Sequence, residues 1–192
     1  APPTPEPTPT AIPTSSGSSL AATPLPSAAS SLRRVPVPEL NGITNWINSE
    51  PLILNGLQGK VVLLDFWTYT CINCIRTFPY LREWHEKYAD SGLVIIGIHT
   101  PEFAFERSTE NVVEAAMEHG LTYPIAQDNE YTSWQAFRVQ AWPTKFILDQ
   151  DGLLAHFNSG EGGYDQIEQI IRGLLEETGA DLDDILPGID PG

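Results

Sequence analysis

Two patterns of apolar side chains alternate along the middle of the chain. Residues 60–67 and 93–98 are short, nearly continuous apolar runs, as expected of strands covered on both faces. Between them Ile75, Phe78, Leu81, Trp84 and Tyr88 recur at helical spacing behind Cys71 and stop at Ser91-Gly92, a helix-ending pair. Pro79 falls inside that helix and predicts a kink. After a Pro-containing loop, Val112, Val113, Ala116 and Met117 mark a second helix closed by Gly120. Residues 131–137 predict a short helix, 145–148 a strand, and Asp149-Gln150-Asp151-Gly152 a turn into a further strand at 153–157. Ile167, Ile170, Ile171, Leu174 and Leu175 line one face of a last helix ended by Gly179. Upstream, Trp46 and Ile47 carry a short helical signal, residues 51–54 read as extended, and Gly56 to Gly59 turn the chain into the first long strand. Strand, helix, strand, helix, hairpin and helix in that order argue an α/β sandwich, a central mixed β-sheet flanked by helices.

The ends of the chain lack this pattern. Ten of the 17 prolines lie in the first 38 residues, among Thr, Ser and Ala. Such a stretch buries too little surface to offset its ordering entropy, so residues 1–36 are expected to be a disordered tether, residues 37–179 the packed domain, and residues 180–192 an acidic tail. No basic segment followed by an apolar one, and no run of eighteen apolar residues, predicts a signal peptide or a membrane span. A chain opening Ala1-Pro2-Pro3 is expected to be a mature form whose export signal or lipid-bearing residue has been removed. The net charge of -15 would repel a phosphate backbone and argues against nucleic acid as a partner.

Chemistry concentrates at Cys71-Ile72-Asn73-Cys74, which holds the only two cysteines. A bridge between them closes a four-residue loop, worth only about 2 kcal/mol of chain entropy, so a purely structural staple is a poor reading. At a helix N-terminus, unsatisfied N–H groups and the macrodipole favour a thiolate, which makes Cys71 the nucleophile and the pair a redox couple. A structural zinc site needs four ligands. His85 lies eleven residues beyond Cys74 on one helix, about 16 Å away, and cannot join them, whereas His99 at the end of the next strand can approach. A metal chaperone using Cys71, Cys74 and His99 therefore stays open, beside two inert buried thiols. The Gly160 to Gly163 run has neither the spacing nor the Lys-Ser/Thr of a phosphate loop.

The frame Asp65-Phe66-Trp67, Cys71-Ile72-Asn73-Cys74 and Pro79, with Trp142-Pro143-Thr144 seventy residues on, resembles the thioredoxin superfamily. Within it the phrases WTYTCINC, HTPEFAFE, YPIAQDN and GEGGY are similar to extracytoplasmic redoxins of the TlpA/ResA kind, and above all to the redoxin domain of DipZ-type proteins. The resemblance implies a thiol-disulfide oxidoreductase acting outside the cytoplasm on protein disulfides, held near its anchor by the N-terminal segment, and working without a cofactor or metal. It casts Cys71 as the attacking thiolate, Cys74 as the resolving cysteine, and Pro143 as a cis-proline facing the disulfide. It places Trp67 and Trp142 on the substrate side, Asp65 as a buried acid relaying protons to Cys74, and Glu102 as a second acid beside the cysteines. Both acids should have raised pKa values if buried there. DipZ-type proteins carry a membrane electron-transfer part, so electrons are expected from a separate membrane donor of the CcdA type. Thr70 stands where thioredoxin has tryptophan, and Ile72-Asn73 replaces Gly-Pro, so neither potential nor substrate surface transfers from thioredoxin itself. Thr68-Tyr69-Thr70-Cys71 also fits the T-x-x-C of a thiol peroxidase, although Leu64 stands where that family carries proline.

Overall fold

The computed structural model describes residues 34–188, so the expected tether lies outside the described residues except for its last three positions. Those three already belong to the domain. Val35–Pro36 form strand β1, paired antiparallel with a strand near the other end of the chain, and Arg34 bridges Asp149 at 3.1 Å and Glu177 at 2.8 Å. A two-residue strand leaves no periodicity to read, which is why residue 37 looked like the boundary.

The seven-stranded mixed sheet has the order β1-β7-β6-β3-β4-β5-β2. Its centre is β3 (Val61–Trp67), parallel to β4 (Leu93–His99) and antiparallel to β6 (Thr144–Leu148), and every residue of β3 is buried. The outer strands are β7 (Leu153–Ser159) beside β6, β5 (Ile125–Gln127) parallel to β4, and β2 (Asn45–Ile47) antiparallel to β5. Thus Trp46 and Ile47, expected in a helix, stand in an edge strand, since two apolar neighbours define no period and pairing with β5 decides. Strand β5 is absent from the sequence reading for a related reason: three residues leave too short a run. The expected extended piece at 51–54 gives way at Leu54 to a 3-10 turn, Leu54–Leu57, which runs into the turn expected at Gly56 to Gly59.

Alternation along β3 divides the core. Val61, Leu63 and Trp67 face helices α1 (Ile72–Tyr88), α2 (Thr109–Glu118) and α4 (Tyr164–Glu177); Val62, Leu64 and Phe66 face the segment around Leu40 and Leu54 and the end of α3 (Thr132–Ala136). Helix α1 runs through Pro79 without ending.

Residues 180–188, read from the sequence as part of an unpatterned tail, are docked. Leu182 is buried in the α1/α4 core, Arg172 donates to the carbonyls of Leu182 at 3.3 Å and Ile185 at 2.7 Å, and Glu168 accepts from the Gly188 amide at 2.7 Å. One buried leucine among acidic residues carries no periodic signal, yet it fills a site between helices. Leu182→Ala should cost about 2 kcal/mol or more in denaturant unfolding. A change below about 0.5 kcal/mol would mean the segment is not part of the cooperative unit.

Candidate active site

The turn between β3 and α1 sets the site. Strand β3 delivers Thr68 at its end, Cys71 caps the helix, and the Cys74 amide donates to the Cys71 sulfur at 3.3 Å. The two cysteines are free thiols, Cys71 partly exposed and Cys74 buried. Cys71 is lowered to about 6, first by its hydrogen bond with the Cys74 side chain and then by the Cys74 and Asn73 amides, against burial and the charge of Glu102. It is therefore largely thiolate at neutral pH. Cys74 is pushed far up, chiefly by burial, then by its bond to Cys71 and the charge of Asp65. One thiol is ready to attack and the other is held protonated.

Beneath Cys74 lies a buried ion pair. Asp65 and Lys145 sit opposite each other on β3 and β6, on the sheet face that carries α1, with Lys145 Nζ 3.1 Å from Asp65 Oδ1. Neither group has a hydrogen-bond partner among the described residues, and the indole N–H of Trp67 and the hydroxyl of Tyr123 are also buried without one. Burial raises Asp65, and Lys145 partly opposes that rise. Across the sheet from Asp65 stands Gly97, where a Cβ would come within 2.8 Å of the Trp67 indole nitrogen, so glycine is what admits the ring.

Trp67 thus differs from its expected place on the substrate side. Its position on β3 puts it under α1, fully buried, edge-on to Phe78 and His99. Trp142 and Pro143 are joined by a cis peptide; Pro143 is buried, and Trp142 is half-buried and donates to the Thr100 carbonyl at 3.0 Å.

Glu102 is near enough for its charge to act on Cys71, but it is not buried. The buried acid of that loop is Glu106. Glu106 Oε1 accepts from the Thr70 hydroxyl at 2.5 Å, and Oε2 accepts from the amides of Glu102 at 2.5 Å and Phe103 at 2.9 Å. Although burial works against it, these donors, Thr70 foremost, hold Glu106 below the usual carboxylate range. It ties the 3-10 turn Ala104–Arg107 to the residue just before Cys71. Glu106 reaches back to the Phe103 amide as the third residue of the turn, but Phe103 offers no side-chain acceptor, so the sequence carried no capping-box signal for it.

His99 is buried between Trp67 and Tyr69, 3.4 Å from the Thr68 hydroxyl, and burial lowers it to about 4, so it is neutral at pH 7. Among the described residues no group of three or more His, Cys, Asp or Glu side chains is arranged to hold a metal ion. Among them, too, no helix is long and apolar enough to cross a membrane.

Residues 59–154 match a family model described as thioredoxin-like. The chain belongs to the thioredoxin-like family. Protein DipZ of Mycobacterium bovis is 46% identical over 144 residues, covering 73% of this chain but 21% of that protein. The chain therefore spans about a fifth of the length of that relative. The thiol-disulfide oxidoreductase YkuV of Bacillus subtilis is 31% identical over 145 residues, 76% of this chain and 97% of YkuV. A solved thioredoxin-like protein in the oxidized form is 32% identical, with a TM-score of 0.68 over 75% of this chain and 97% of that one. The expected α/β fold and the redoxin resemblance, DipZ included, both hold for this thioredoxin-like chain.

Proposed function

We propose that this protein reduces protein disulfides outside the cytoplasm by a Cys71/Cys74 dithiol cycle. The observation that carries this reading is the split between the two sulfurs, a half-exposed thiolate over a buried thiol. The Cys71 thiolate attacks one sulfur of the substrate disulfide; a mixed disulfide forms and the first substrate thiolate leaves. Cys74 then loses its proton to Asp65, which lies beneath it, and attacks the Cys71 sulfur. The second substrate thiolate departs; one substrate thiolate takes up the proton passed to Asp65 and the other takes one from water. The substrate gains two electrons and two protons, and the protein is left with a Cys71–Cys74 disulfide. Trp142 and Pro143 border the half-exposed sulfur as the substrate-facing rim.

The reducing direction is supported by the extent of the Cys71 shift. A value of about 6 is closer to the thiolate of thioredoxin, about 7, than to that of the strong oxidant DsbA, about 3.5, whose reduced form is heavily stabilised. The likeness to DipZ supports a site outside the cytoplasm, with the Pro-rich segment as tether and a membrane donor of the CcdA type returning the electrons. Equilibration against glutathione buffers tests the direction. A potential near that of thioredoxin, about -270 mV, is expected, and one near DsbA's, about -120 mV, would overturn it.

A further inference from the structure

Beside the thiolate the loop after β4 carries two phenylalanines that a soluble domain has no folding reason to display. Phe103 is 49% exposed and Phe105 56% exposed, and their rings lie parallel, with centroids 5.6 Å apart and planes within 3°. The loop beneath them is held firmly. Glu106 ties it to Thr70, the Phe105 carbonyl accepts from Asn111 Nδ2 at 3.1 Å and from the Tyr69 hydroxyl at 3.4 Å, and the Tyr131 hydroxyl donates to the Pro101 carbonyl. A buried carboxylate with three donors is an expensive way to fix a surface loop, and its result is a pair of apolar rings with little freedom to fold inward. Phe105 packs against Tyr69, two residues before Cys71, and Ile72, one residue after it, is 58% exposed. Ile72, Phe105 and Phe103 thus make an exposed apolar strip that reaches the Cys71 turn through Tyr69.

The charges around the strip select what can lie there. Glu102 is exposed at the start of the loop and its charge acts on Cys71, while Glu110, also exposed, stands in the first turn of α2 and accepts from the Ser108 hydroxyl at 2.8 Å. The cation of this loop, Arg107, is already paired with Glu130 at 3.4 Å, and Arg76 on α1 with Glu161 at 3.2 Å. With -15 on the whole chain, the rim is acidic and a second copy of it would be repelled.

Resting on the oxidoreductase reading above, we infer that Phe103 and Phe105 form a docking shelf for a disulfide-bearing polypeptide segment that is basic and places a large apolar side chain next to its reacting cysteine. The rings receive that side chain, and Glu102 and Glu110 receive the cations flanking it. Both features act on binding of the substrate strand, before and during attack by Cys71, and so enter kcat/KM.

The test uses the reduced full chain and three short peptides, each as its symmetrical disulfide: Lys-Leu-Cys-Lys, Lys-Gly-Cys-Lys and Glu-Leu-Cys-Glu. The wild type should reduce the first about tenfold faster than the second in kcat/KM, a difference of about 1.4 kcal/mol. It should also prefer the first to the third by a margin that shrinks as salt is raised. In Phe103→Ser/Phe105→Ser the Leu-over-Gly ratio should fall close to one, and in Glu102→Gln/Glu110→Gln the Lys-over-Glu ratio should do so. Equal rates for Leu and Gly peptides with the wild type, or an unchanged ratio in the serine variant, would overturn the shelf while leaving the oxidoreductase reading intact. No reduction of any peptide by the wild type would remove that reading and the shelf with it. A concentration-dependent dimer in sedimentation that disappears in the serine variant would assign the rings to self-association and overturn the inference.

Discussion

Replacing Cys71 by serine is expected to abolish reduction of a protein disulfide, and replacing Cys74 by serine to leave attack intact and stall the product as a mixed disulfide. The asymmetry follows from where the two sulfurs sit. Cys71 caps α1, accepts the Cys74 amide and is lowered to about 6, so a thiolate is present at neutral pH and faces outward. Cys74 is buried and raised, so it can neither meet an incoming protein nor ionise unaided. Loss of a nucleophile in a covalent mechanism removes the reaction itself, with effects on the order of 10⁴-fold or more. Mass spectrometry of Cys74→Ser incubated with an oxidised protein substrate should find the adduct on Cys71. Its appearance on Cys74 of the Cys71→Ser protein instead would reverse the roles and sink the helix-cap account. The Cys74→Ser protein should also trap partners from a native extract, which addresses the substrate directly.

Asp65→Asn is expected to slow resolution of the mixed disulfide about a hundredfold while leaving the initial attack within a few-fold, the usual scale for removing a positioned general base. Cys74 must give up a proton in a place that penalises the thiolate, and Asp65 lies beneath it with its own value raised by burial. In the wild type, resolution should quicken as pH rises through the Asp65 value, and the asparagine variant should lose that limb. Lys145 opposes the rise in Asp65, so Lys145→Met should move the same limb to higher pH. Stability should move the opposite way with pH. A carboxyl raised in the folded state contributes stability that is fully present below its unfolded value of about 3.9 and is lost as pH rises through the folded value. Wild-type stability relative to Asp65→Asn should therefore fall across that window in denaturant melts. Single-turnover mixing that separates adduct formation from release checks the kinetics. Equal release rates in wild type and Asp65→Asn at every pH would leave Asp65 without a proton-transfer role.

The exposed Glu102 changes what its variant should do. Its charge raises Cys71, so Glu102→Gln bears on attack at Cys71 and leaves proton removal from Cys74 to Asp65.

The legible parts of this molecule were those written in long patterns or in close spacing. Strands β3 and β4, seven residues each, and helices α1 and α4 repeat often enough for one period to stand out. The C-x-x-C pair is local: residues three apart across a helix start must meet, whatever the rest of the chain does. Asp65 was readable as a buried acid through the resemblance to thioredoxin, six residues before Cys71. Strands β2 and β5, three residues each, were not, because so short a run exists only through its partner. The same holds for β1, and for the docking of Leu182, a single apolar residue in an acidic stretch.

By itself, then, the sequence determined the α/β order and the C-x-x-C pair and pointed to Cys71 as the candidate nucleophile, since backbone periodicity and helix polarity act over a few residues. Only the tertiary structure decided which acid of the HTPEFAFE stretch is buried, because Glu102 and Glu106 differ in which way a 3-10 turn points them, and that turn is held by Thr70 thirty-six residues upstream. It alone paired Asp65 with Lys145, eighty residues apart, through the register of β3 and β6. And it alone buried Trp67 while leaving Phe103 and Phe105 half in solvent, since all three are large aromatics and the packing of neighbouring elements determines which face is covered.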